Sequence, residues 1–216
     1  MQKQNFDNQM ISIIENLREK GEKPHLVLHA CCGPCSSSVL ERLCEAFLVT
    51  VFFYNPNIHP KTEHDRRLFE LERFLKEFPL AKKNGVDLFV ADYNPEDFFR
   101  STRVREEPHL QTEGEKGERC RRCYKFRMKK AAEFAKTVDA KWFTTTLSVS
   151  PYKDSQKINE IGKELSSDVK FLPSDFKKRG GFLRSTQLSD EFGLWRQDYC
   201  GCCYSIATRD KQNGTN

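Results

Sequence analysis

Short apolar runs alternate with stretches of helical periodicity from residue 25 to about 172, and few chain paths can satisfy such an order. The apolar runs fall at residues 24–29, 48–54, 86–93 and 142–147, with a fifth at 169–172. Helical spacing predicts helices over 6–20, 61–78, 95–101, 118–137 and 154–166, one after the turn at 31–35, and a last one near 183–192. The runs lack the every-second-residue alternation of a half-exposed strand, so both faces of each strand are expected to be buried. The fold class this implies is α/β, a parallel sheet with helices on both faces, followed by a Cys-containing C-terminal extension. Residues 1–216 read as one domain with a core at about 24–175, a Cys-rich segment at about 176–205 and an unstructured tail at about 209–216. Sheets of this kind bind ligands just beyond the carboxyl ends of their strands. Directly after the first strand stands Cys31-Cys32-Gly33-Pro34-Cys35, with Ser36, Ser37 or Ser38 as candidate cap of the next helix.

Nine cysteines are too many to pass over, and their setting decides what they mean. No apolar run approaches the roughly 20 residues of a membrane helix. The start, Met1-Gln2-Lys3-Gln4-Asn5, lacks the apolar stretch of a secretory signal. The expected compartment is therefore the cytoplasm, without a membrane partner, where thiols stay reduced and an odd set of cysteines points to metal binding or redox chemistry. The net charge of +5 permits a nucleic-acid partner without demanding one.

Eight of the nine fall in three groups: Cys31, Cys32 and Cys35; Cys120 and Cys123; and Cys200, Cys202 and Cys203. Cys120 and Cys123 lie three apart on a predicted helix, so both sulfurs share a face. Alone, such a pair reads equally as a metal half-site, a redox dithiol or half of a zinc site. The first group favours a cluster. Two adjacent thiolates are awkward ligands for one small tetrahedral ion but can each take a separate iron corner. Cys31, Cys32, Cys120 and Cys123 together supply the four thiolates usual for a [4Fe–4S] cluster, although a structural zinc would use the same number. Cys35 is left as a candidate ligand to a second metal or an aid to the first; its place near a helix N-terminus is expected to lower its pKa. Cys200 and Cys202, separated by Gly201, suggest a strained, reducible pair, with metal ligation as the other possibility. Cys44 falls on an apolar helix face and reads as core.

The stretch 119–130 places seven cations around the C-x-x-C pair, either as a solvated helix face or as phosphate contacts beside the metal. Lys177-Lys178-Arg179 forms a second basic stretch in a loop. His29 precedes the cysteine turn and is placed to pack or hydrogen-bond near the metal, and His59 follows the second strand on the ligand side. His25, His64 and His109 read as surface or capping residues. Asp198 and Tyr199 are possible proton donors, with packing as the simpler role for both. Neither a G-x-x-x-x-G-K-[ST] nor a G-x-G-x-x-G loop is present, which argues against nucleoside triphosphate chemistry.

Three strings taken in order, Leu28-His29-Ala30-Cys31-Cys32-Gly33-Pro34-Cys35-Ser36, Arg119-Cys120-Arg121-Arg122-Cys123-Tyr124 and Arg196-Gln197-Asp198-Tyr199-Cys200-Gly201-Cys202, resemble the QueH family of epoxyqueuosine reductases. The segments 54–60 and 177–189 resemble it too, so the likeness runs from about residue 24 to 205. The resemblance implies a HUP-like α/β fold and the two-electron removal of the epoxide oxygen of epoxyqueuosine in tRNA. It implies a [4Fe–4S] cluster on Cys31, Cys32, Cys120 and Cys123, a redox-active Cys200–Cys202 pair, and an additional mononuclear iron for which Cys35 is the candidate ligand. It also implies two partners, tRNA carrying epoxyqueuosine and an unidentified electron donor. Cys203, beside the C-x-C, departs from the expected pair and puts the redox partner in question. Three rivals differ in testable ways. An iron–sulfur tRNA sulfur-transfer enzyme would carry an S-G-G-x-D-S-type loop where this chain has Cys31 to Ser36. A zinc-stapled RNA-binding module would be colourless and free of inorganic sulfide. A metal-free thiol–disulfide oxidoreductase would not need thiols in three places.

Overall fold

The computed structural model describes residues 4–206; the tail expected at 209–216 lies outside them. Five strands, β1 (His25–Ala30), β2 (Leu48–Phe53), β3 (Asp87–Val90), β4 (Trp142–Thr145) and β5 (Lys170–Phe171), form one all-parallel sheet in the order β3-β2-β1-β4-β5. The helices are α1 (Phe6–Glu19), α2 (Gly33–Leu43), α3 (Lys61–Glu77), α4 (Pro79–Lys83), α5 (Pro95–Thr102), α6 (Glu118–Thr137), α7 (Ser155–Leu165) and α8 (Gly181–Glu191). The expected helix at 61–78 ends one residue early because Pro79 cannot continue it and opens α4 instead. Asn5, Asn94 and Asp154 cap α1, α5 and α7, each accepting a backbone N–H from the first turn.

The central strands β2, β1 and β4 are largely buried on both faces, as their composition requires, whereas at the sheet edge β3 departs from that expectation, with Phe89 and Val90 exposed. Leu26, Leu28 and Ala30 of β1, with Val49, Val51 and Phe53 of β2, face a core shared with α1, α2, α3 and α8. Val27, Phe52 and Phe143 point the other way, into a core closed by α6 and α7. Burying side chains of this size stabilises by roughly 1.5–3 kcal/mol each. Cys44 belongs to the first core and is fully buried. No helix among the described residues is long and apolar enough to cross a membrane.

From β1 the chain first steps outward through β2 to β3, then returns to place β4 on the other side of β1. The crevice between the carboxyl ends of β1 and β4 is therefore the switch point where such sheets take ligands. Gly33, opening α2 at this point, has no room for a side chain: a Cβ there would stand 2.8 Å from the Glu70 carbonyl oxygen of α3. Gly33→Ala is expected to cost about 1–3 kcal/mol through forced separation of α2 and α3. The check is the urea unfolding midpoint, and an unchanged midpoint would contradict this packing.

Candidate metal centre

At the switch point the chain bends at Cys31, and Cys32 adopts an extended conformation that caps α2. The cap is the Cys32 sulfur, which accepts the Cys35 N–H at 3.3 Å. The three serines expected as caps instead lie inside α2, where Ser36 donates to the Cys32 carbonyl and Ser37 to that of Pro34. Capping brings an N-cap side chain beside the third helical residue, so Cys35 joins the other two. The sulfurs of Cys31, Cys32 and Cys35 all lie within 4.8 Å of one another, with Cys31 and Cys32 at 3.8 Å. Two thiolates on one tetrahedral ion, with bonds of about 2.3 Å, sit about 3.8 Å apart. Adjacency is thus no obstacle to a shared ion, contrary to the sequence argument, because the bend at Cys31 turns both side chains to one side. Gln197 covers the group, its Nε2 donating to Cys32 Sγ at 3.0 Å and reaching Cys35 Sγ at 3.5 Å.

The trio shares its protons unequally. Hydrogen bonds from the Cys32 and Cys35 thiols, with Arg127 and Arg67 nearby, hold Cys31 well below the usual thiol range despite its burial. Burial and the bond to Cys31 push Cys32 up, and donation to Cys31 pushes Cys35 up to about 12. The helix N-terminus was expected to lower Cys35; the neighbouring thiolate outweighs it. His29 is fully buried, and burial lowers its pKa to about 3, so it is neutral. Its Nε2–H donates to the Tyr54 carbonyl and its Nδ1 accepts from Thr145.

Cys120 and Cys123 share the inner face of α6, as their spacing predicts, but they lie outside the trio. Cys123 packs with Phe98 and Cys202, and Cys200 is partly buried against them. Burial raises both α6 thiols. The bond from Cys202, helped by Lys153, makes Cys200 the more acidic member of its pair and raises Cys202. Cys203 is half-buried, and all nine cysteines are free. A cavity of about 620 Å³ is lined by Cys31, Cys35 and Cys200 together with Arg67, Lys153 and Gln197.

Arg67 fixes the C-terminal segment to this cavity. It is 1% exposed, pairs with Glu63 at 2.7 Å and donates to the carbonyls of Tyr199 and Cys200 at 3.2 Å each. Gly201 beside it has φ +112°, and a Cβ there would stand 2.9 Å from Ile58 and 3.1 Å from Arg67, so only glycine fits. Tyr199 donates its hydroxyl to the His59 carbonyl. Arg67→Leu removes two charge-assisted bonds of about 1.5–3 kcal/mol each. Faster backbone hydrogen exchange at residues 199–202, with the sheet unaffected, is the expected result.

Three further expectations change. His64, read as surface, is 4% exposed and packs between Phe53 and Tyr93. The basic run divides: Arg121, Lys125, Lys129 and Lys130 are exposed, whereas Arg119 donates to the carbonyls of Leu110, Gln111 and Glu113, Arg122 pairs with Glu107 and Glu118, and Arg127 is 3% exposed. The latter three are engaged within the protein and are not free to meet phosphates. In the second basic stretch, Arg179 pairs with Asp7 and Lys177 with Asp175. Sequence reasoning did not single out Gln197 or Arg67. Gln197 sits within the third quoted string, and Arg127 lies one helical turn beyond Cys123, whereas nothing local marks Arg67.

The fold and site define a parallel α/β protein with two groups of reduced thiols at the switch point of its sheet, a soft-ligand site suited to iron or zinc. A family model described as Epoxyqueuosine reductase QueH matches residues 26–208, and the chain belongs to that family of oxidoreductases. It is 39% identical over 206 residues to Epoxyqueuosine reductase QueH of Streptococcus pyogenes serotype M1, covering 94% of this chain and 79% of the relative. The Staphylococcus epidermidis relative of the same name is 36% identical, covering 94% and 85% of the two chains, and that of Thermotoga maritima 32% identical, covering 87% and 93%.

Proposed function

We propose that this chain reduces the epoxide of epoxyqueuosine in tRNA to the cyclopentene of queuosine, working in the cytoplasm. The observation that carries the reading is the convergence of reduced thiols from two distant chain segments, Cys31 and Cys35 with Cys200, on one cavity, in a member of this family. The reaction consumes two electrons and two protons and releases the oxygen as water. Oxidation of the Cys200 and Cys202 thiols to a disulfide yields that number of electrons and protons, and an electron donor outside the chain must then reduce the pair.

The donor set fits iron: the thiols are buried, free of disulfides and flanked by the buried cations Arg67 and Arg127. Cys31, Cys32, Cys120 and Cys123 would hold a [4Fe–4S] cluster, and Cys35 would serve an adjacent iron. Iron in this place supplies single electrons and a Lewis acid for the C–O bond. Gln197 orients the Cys32 and Cys35 sulfurs, while Arg67 holds Cys200 at the cavity wall. Exposed Tyr152 and half-exposed Phe182 stand at the same cavity and offer ring faces to a base splayed from its loop.

The compact Cys31–Cys32–Cys35 trio favours a second reading, a single zinc ion in a non-catalytic RNA-binding module. Protein purified without oxygen separates the two. A brown sample with inorganic sulfide that converts epoxyqueuosine tRNA in the presence of a low-potential reductant, read as loss of one oxygen by nucleoside mass spectrometry, supports the reductase. Colourless zinc protein without turnover refutes it.

A further inference from the structure

Arg127 is a buried cation without a carboxylate. It is 3% exposed, and among the described residues no Asp or Glu lies within ion-pair distance of it. Its NH1 donates to Asn55 Oδ1 at 3.1 Å, and its Nε is buried with no hydrogen-bond partner. Asn55 in turn donates to the carbonyl of Ala30 at 2.8 Å, the residue before Cys31. Arg127 also stands one helical turn from Cys123 on the inner face of α6. Its place therefore joins the two thiol groups.

A guanidinium does not give up its proton, and burying it without an anion is costly. Arg67 has Glu63 for this purpose. The ionisable groups acting on Arg127 to keep it charged are Cys123, Cys31, Cys200 and Tyr124. His29 is neutral, and Lys153 is a further cation that opposes Arg127. Metal binding takes the protons off ligand thiols, so the full complement of anions facing Arg127 arises with the metal.

We infer that Arg127 is the fixed counter-charge of the thiolate-bound iron and raises its reduction potential. The inference rests on the iron–sulfur reading above. It follows from electrostatics: reduction adds a negative charge to the centre, and a buried cation beside it favours that state. Arg127 acts through the thiolates and touches no substrate, so it is a positioning residue.

The test compares the wild-type chain, Arg127→Gln and Arg127→Lys, each loaded with iron and sulfide without oxygen and titrated potentiometrically by visible absorbance. For Arg127→Gln the reduced-to-oxidised ratio at a fixed potential is expected to fall at least tenfold, about 59 mV for one electron. Arg127→Lys should stay near the wild-type value. Equal potentials in wild type and Arg127→Gln overturn the inference. If Arg127→Gln loads too little iron to titrate, iron content becomes the readout. Recovery in Arg127→Lys then supports the charge role, and equal loss in both variants makes Arg127 a packing residue and overturns it. A wild-type chain that takes up no iron removes the underlying reading, and this inference with it.

Discussion

Cys120→Ala protein prepared without oxygen is expected to lose both its inorganic sulfide and its ability to reduce epoxyqueuosine tRNA. Taking the about 10–16 kcal/mol of four-ligand structural metal sites as a guide, each thiolate is worth roughly 2.5–4 kcal/mol, a loss of about seventyfold or more in affinity. Cys120 makes this the most informative position. It lies outside the compact trio, so a single ion on Cys31, Cys32 and Cys35 would survive its loss, whereas a cluster spanning both groups would not. The substitution removes one sulfur from a site packed by Tyr124 and its neighbours, so the fold should persist. Iron and sulfide assays on folded protein give the answer. Full iron, sulfide and turnover in the variant would take Cys120 out of the ligand set.

The opposite pattern is expected of Cys202→Ala: iron and sulfide retained, turnover reduced roughly a hundredfold, about 2.7 kcal/mol in the barrier. Cys202 supplies the hydrogen bond that makes Cys200 the more acidic thiol, and it would be that residue's disulfide partner. Its removal leaves one thiol, which cannot give up two electrons by closing a bridge. Single-turnover measurements on iron-loaded protein decide the matter. Unchanged turnover would leave Cys203, half-buried next to it, as the partner. Loss of the cluster would instead make Cys202 a ligand.

Much of this architecture can be read from local patterns. The central strands, which lack alternation, are buried on both faces, and Leu26, Val27 and Leu28 do divide between two cores, although the edge strand β3 stays largely exposed. A cysteine turn after the first strand falls at the carboxyl edge of the sheet, and a spacing of three puts Cys120 and Cys123 on one helix face. These follow from backbone periods of two and 3.6 residues, which act within a few positions. They leave the surroundings of the site unspecified. Arg119, Arg122 and Arg127 look alike in the sequence, yet all three turn into the protein, where each meets different acceptors.

The sequence by itself determined the class of fold, the edge of the sheet where the thiols gather and the soft chemistry they offer, because each depends on neighbouring residues along the chain. Only the tertiary structure decided that β4 lies against β1, that Cys35 joins Cys31 and Cys32, and that Gln197 reaches Cys32 across 165 positions. Those choices depend on how the crossover helices pack and where a distant segment returns. No local period encodes contacts made by burial and hydrogen bonding between remote parts of the chain.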